Sequence, residues 1–138
     1  MFSIGELSKR TGVKVPTIRF YEQAGLLPEP PRTQAGRRLY GTDDERRLAF
    51  IRHTRDLGFE MDALRALLEL SDQPDRPCGE VDAIARAHLA AVEAKISQLT
   101  ALKDELARMV KSCSHGQVSH CRVIEALADH RRCDSINH

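Results

Sequence analysis

The chain has 138 residues, with 21 Lys+Arg against 20 Asp+Glu, 41% apolar residues and only 4% aromatic ones. That length suits one small domain with an appendage, the scarcity of rings points to an aliphatic core, and no apolar run approaches the ~18–20 residues needed to cross a bilayer. Charges at Glu6 and Lys9 fall where an export signal needs an apolar stretch, so a cytoplasmic chain with reduced thiols is expected.

Helix signals dominate the sequence. Ser3-Ile4-Gly5-Glu6 reads as a capping box opening a short helix to about Arg10, broken by Gly12. Val15 to Gly25 reads as a second short helix, with Pro16 in its first turn and Gly25 at C′. Two short helices joined by a tight glycine-containing turn make a helix-turn-helix candidate. Pro28, Pro30 and Pro31 then force an extended path, and Gly36 to Gly41 fits a small hairpin or wing with a glycine at each end. Thr42, with Glu45 three residues on, caps a third helix to about Leu57, ended by Gly58. A fourth, Met61 to Leu70, carries Leu64, Leu67 and Leu68 at helical spacing. Residues 1–70 thus form one domain, followed by a Pro-containing linker over 71–77.

Residues 78–111 read as one long helix, with no Gly or Pro between Val81 and Lys111. Val81, His88, Lys95, Leu102 and Met109 fall on one heptad row, and Ala85, Val92, Leu99 and Leu106 on the other. About 33 residues at 1.5 Å each span roughly 50 Å. A coiled-coil partner would cover such a stripe; packing on the chain's own N-terminal part is the alternative. His88 and Lys95 either set the register or snorkel. Residues 112–138 hold a loop from Cys113 to Cys121, a short helix from Arg122 to about Ala128, and a polar tail with His130 and Cys133.

The near-neutral total hides an asymmetry: Met1 to Gly58 carries 11 Lys+Arg and 7 Asp+Glu, and the remainder 10 and 13. A basic first half suits a polyanion. In the second helix, Arg19 suits a guanine edge or a phosphate, while Thr17 and Tyr21, four apart on one face, suit phosphates. Lys14 sits where the backbone N–H groups of a helix start also attract phosphate. Ile18 is expected to turn into the core. Arg37, Arg38 and Tyr40 add charge and a hydroxyl to the wing. The same residues would also suit the plain surface of a small helical domain.

The stretches IGELSKRTGVKVPTIRFYEQAGLLP and GRRLYGTDDERRLAFIRHTRDLGF, followed by a leucine-containing helix, resemble the winged helix-turn-helix of the MerR family of transcription regulators. The resemblance continues through the long helix and the cysteine tail. It implies a fold dominated by α-helix: a winged helix-turn-helix domain, a long antiparallel dimerisation helix, and a short C-terminal metal-binding loop and helix. It further implies a homodimer on promoter DNA, acting on RNA polymerase, with DNA contacts from Lys14, Thr17, Arg19, Tyr21, Arg38 and Tyr40. Most members carry a bulky aromatic before the matching wing arginine, where this chain has Arg37.

Cys113 and Cys121 bracket a seven-residue loop containing His115, Gly116 and His120. A cysteine pair alone is as compatible with small buried apolar residues as with a metal. Imidazoles in the loop add donors, Gly116 permits a tight turn, and Cys121 and Cys78 each precede a helix, whose positive end favours the thiolate that a metal needs. Cys78 and Cys113 lie at opposite ends of the long helix, so one ion cannot bridge them within a chain. If two such helices pair antiparallel, Cys78 of one chain meets Cys113 and Cys121 of the other, giving two equivalent sites per dimer. The expected ligands are Cys78, Cys113, Cys121 and His115, with His120 as the other imidazole option. Such donors suit one thiophilic ion per site: Zn, Cd or Pb first, then Hg or Cu(I). In the family, a cysteine at the position of Cys78 goes with divalent sensing and a serine with copper(I), whereas the short loop is of the copper type. Cys78 also reads as an idle helix-start residue, and Cys133 with His130 as a second site or as bystanders.

The reading is a metal-responsive regulator of a metal-efflux or detoxification promoter, activating or repressing by DNA distortion. A Cu(I) sensor using only the loop cysteines and a thiol redox sensor are the alternatives. An enzyme is disfavoured, since no zinc-protease, phosphate-loop or nucleophile-elbow motif is present.

Overall fold

The computed structural model describes residues 1–112, 115–118 and 121–129, divided into two compact units, Met1–Ala85 and Arg86–His138. The expectations for Cys113, His120, His130 and Cys133 lie outside the described residues.

The first unit is built on helices whose ends are set by local chemistry. In α1 (Ile4–Thr11) the Ser3 hydroxyl accepts the Glu6 N–H at 3.2 Å. Gly12 closes α1 at φ +76°, its N–H reaching the Ser8 carbonyl at 2.8 Å. Only glycine takes that conformation without strain, and a Cβ there would also run into the Arg52 guanidinium. Three residues later α2 (Val15–Gln23) begins behind Lys14, with Pro16 in the first turn, where a missing N–H costs nothing. Gly25, at φ +78°, turns the chain away from α2.

The wing differs from the expected span. Its chain reversal lies at Thr33–Gly36, between the paired residues Arg32 and Arg38, rather than over Gly36–Gly41. Gly36 carries the positive φ of +82°, and the Thr33 hydroxyl accepts the Arg37 N–H at 3.1 Å. A second antiparallel bridge, Phe2 to Tyr40, ties the start of α1 to the base of the wing. Gly41 is not part of the hairpin. It is the N-cap of α3 (Thr42–Asp56), and its N–H donates to Asp44 Oδ2 at 2.8 Å. The cap therefore sits one residue earlier than the Thr42–Glu45 pairing expected. Glu45 instead pairs with Arg10 at 3.1 Å, linking α3 to α1.

After α4 (Met61–Ser71) comes α5 (Gly79–Lys111), with Cys78 just before it: the Cys78 carbonyl accepts the Asp82 N–H at 2.9 Å. The core of the first unit gathers Leu7, Ile18, Leu26, Tyr40, Leu48, Ile51 and Leu64, all essentially inaccessible. Each aliphatic side chain among them contributes about 1.5–3 kcal/mol. Ile18 faces inward as expected, so the rest of α2 is oriented around it.

No residue of α5 is buried, and Leu89, Ile96, Leu99, Leu102 and Leu106 are each at least 48% exposed. Beyond α5, α6 (Arg122–Ala128) starts behind Cys121. No helix among the described residues is long and apolar enough to cross a membrane.

Candidate nucleic-acid interface and thiol positions

The turn between α1 and α2, the start of α2 and the end of α3 border one concavity. A cavity of about 220 Å³ opens there, lined among others by Lys14, Thr17, Tyr21, Arg52 and Arg55. Three of the six expected DNA-contacting residues therefore share one concave surface, and two arginines that no sequence motif marks, Arg52 and Arg55, complete it. Arg52 donates to the Thr11 carbonyl, which stations its guanidinium beside the turn, and Arg55 donates to the Phe59 carbonyl. Asp56, 3.8 Å from Arg52, is the acidic member of the lining. Three cationic side chains with the Thr17 and Tyr21 side chains make a surface suited to a phosphate oxygen. The Tyr21 ring is otherwise packed inward, 8% exposed.

Arg19 is exposed on the outer side of α2. Arg38 is half-buried and pairs with Glu22 at 3.3 Å. Tyr40, expected on the reading surface, instead lies inside the core at 1% exposure, and its hydroxyl donates to Glu22 Oε1. Burial first, and the Glu22 hydrogen bond and charge next, push its phenol far above the ordinary tyrosine range. Glu22 thus holds the Tyr40 hydroxyl and the Arg38 guanidinium together, tying the wing to α2. Arg37 stands exposed at the wing.

Of the expected thiol ligands, Cys78 and Cys121 are described. Both are free, Cys78 exposed and Cys121 half-buried, and each occupies the residue before a helix. Neither is buried among the described residues. His115 is exposed and adopts φ +56°, so among the described residues of the loop the left-handed one is this histidine and not Gly116. Among the described residues no three His, Cys, Asp or Glu side chains cluster as a metal site would require.

This helix-turn-helix, wing and long helix define a class. The family description "MerR HTH family regulatory protein" matches residues 2–71, and "MerR, DNA binding" matches residues 45–109. The chain belongs to the MerR family of DNA-binding transcription regulators, which are not enzymes. The HTH-type transcriptional regulator ZntR of Escherichia coli (strain K12) is 39% identical over 131 residues, covering 92% of each chain. Heavy metal-dependent transcription regulator 2 of Rhizobium meliloti (strain 1021) is 36% identical, over 92% of this chain and 86% of that protein. The crystal structure of the regulator PbrR691 from Ralstonia metallidurans CH34 in complex with lead(II) superposes with a TM-score of 0.81 at 43% identity, over 93% of this chain and all of that one.

Proposed function

We propose that the chain is a metal-responsive transcription regulator. It senses a thiophilic divalent ion (Zn, Cd, Pb or Hg) and switches a metal-efflux or detoxification promoter by distorting its DNA. The observation that carries this reading is that Cys78, exposed, and Cys121, half-buried, are free thiols at the starts of α5 and α6. The heavy-metal-dependent relative and the lead(II)-bound neighbour support it. Cys78 of one protomer would join Cys113 and Cys121 of the partner subunit, with His115 of the partner subunit as a fourth donor. Such a thiolate-rich donor set fits ions of low coordination number.

In this reading the exposed apolar stripe of α5 pairs antiparallel with its copy, so that the dimer presents two winged domains to successive half-sites on promoter DNA served by RNA polymerase. Closing the loop against the partner's helix gives the ion a differential interaction with two placements of those domains, as any effector must have. Bending and untwisting the promoter costs on the order of 1–6 kcal/mol, offset by added protein–DNA contacts.

The test is a competition titration of the reduced protein with Zn, Cd, Pb, Hg and Cu(I), coupled to transcription from the target promoter. Affinity alone follows the chemistry of the ion, so the transcriptional readout decides. Cys113→Ser and Cys121→Ser should each abolish the metal response while leaving DNA affinity nearly intact. A normal response from either variant removes the loop as sensor. A response to Cu(I) that survives Cys78→Ser selects the two-cysteine copper reading instead.

A further inference from the structure

We propose that Phe20 reads the C5-methyl group of a thymine in the major groove and so sets part of the sequence preference of this regulator. The proposal rests on the reading that the outer face of α2 meets DNA. The exposed residues of α2 are Pro16, Arg19, Phe20 and Gln23, at positions i, i+3, i+4 and i+7, which place them on one face. Ile18 and most of the Tyr21 ring are buried. Phe20 is 53% exposed, and its ring is tilted against that of Tyr21, with centroids 5.8 Å apart. The ring is therefore backed by a packed neighbour while much of its surface faces outward.

An exposed phenylalanine gains only when something apolar covers it. The side chains around it say what that is. Arg19 and Gln23 share its face, and Lys14 stands at the start of the helix. A guanidinium matches the guanine O6 and N7 edge, a primary amide matches the adenine N6 and N7 edge, and the apolar group that the same groove offers is the thymine methyl. A lipid surface or an apolar protein groove would leave the Arg19 and Gln23 head groups desolvated without partners. A duplex major groove satisfies all three side chains at once.

The experiment uses the full chain and duplexes that it selects from a randomised pool. Each thymine of a selected duplex is replaced in turn by deoxyuridine, which lacks only the C5-methyl group. The unaltered protein should lose about fourfold in affinity at one thymine of each half-site, the worth of one buried methyl-sized group. Phe20→Ala should bind thymine and uracil duplexes equally well. Indifference of the unaltered protein to every uracil replacement overturns the proposal, as does a uracil penalty that persists undiminished in Phe20→Ala. Arg19→Ala separates the two levels. If it weakens binding while no uracil penalty exists, the Phe20 contact alone falls. If it also binds as tightly as the unaltered protein, the DNA-facing reading of α2 falls with it. The uracil series is read on the unaltered protein, so a folding defect in a variant cannot mask it.

Discussion

Glu22 accepts from the Tyr40 hydroxyl on one oxygen and meets the Arg38 guanidinium with the other, at 3.3 Å. The sequence offers Tyr40 as a surface hydroxyl beside two arginines, yet burial makes it a core residue whose polar tip must be satisfied internally. Its proton stays on chiefly because burial disfavours the phenolate, and next because the Glu22 hydrogen bond and charge oppose it. The unfolded chain releases that proton near pH ~10, and the folded chain does not. The stabilisation is therefore complete below that pH and declines as pH rises further. Tyr40→Phe should cost about 1.5–3 kcal/mol at neutral pH, the worth of a hydrogen bond to a charged group. It should also flatten the alkaline decline. Urea unfolding between neutral pH and pH ~10.5 checks both, and an unaltered slope in the phenylalanine variant would show that the buried Tyr40 phenol is not what the alkaline decline reports.

The helix ends were the most legible elements, because each is decided by one or two neighbouring residues: Ser3 capping α1, Gly12 and Gly25 turning the chain at positive φ. The turn at Gly12 carries the domain, since it sets α1 against α2 while Arg52 reaches across to the Thr11 carbonyl. Gly12→Ala forces a Cβ into the left-handed region and toward that guanidinium, at a cost of about 1–3 kcal/mol. A lowered urea midpoint with an unchanged slope is the expected signature; an unmoved midpoint would show that the turn relaxes freely. Less legible was the wing. Two isolated bridges give too little alternation to fix a register, so the reversal fell at Gly36 and left Gly41 to cap α3. The candidate interface divided in the same way. Lys14, Thr17 and Tyr21 share one stretch of chain and could be grouped by spacing, whereas Arg52 and Arg55 join them only through the packing of α3, which no local pattern records. The loop histidine in the left-handed region was equally hidden, because glycine at position 116 was the ordinary candidate for it.

For the whole molecule the deciding fact is the length of α5. Its 33 residues at 1.5 Å each extend about 50 Å. In the proposed arrangement a thiol at its start and the thiols beyond its end meet at one ion because a second chain runs the other way. The apolar residues along it are exposed, as an unpaired coiled-coil strand would leave them. Antiparallel pairing has a consequence that intrachain sites do not share. In a hybrid dimer carrying Cys78→Ser in one protomer and Cys113→Ser with Cys121→Ser in the other, neither chain retains a full set of sulfurs, yet one interchain pocket is complete. Such hybrids should bind one ion per dimer instead of two, with three sulfur neighbours in X-ray absorption, while either homodimer binds none at comparable affinity. Lead(II) is a suitable probe, given the lead-bound relative. If the hybrid binds no better than its parents, the sulfurs do not meet across the dimer. The metal response would then have to arise from the loop alone.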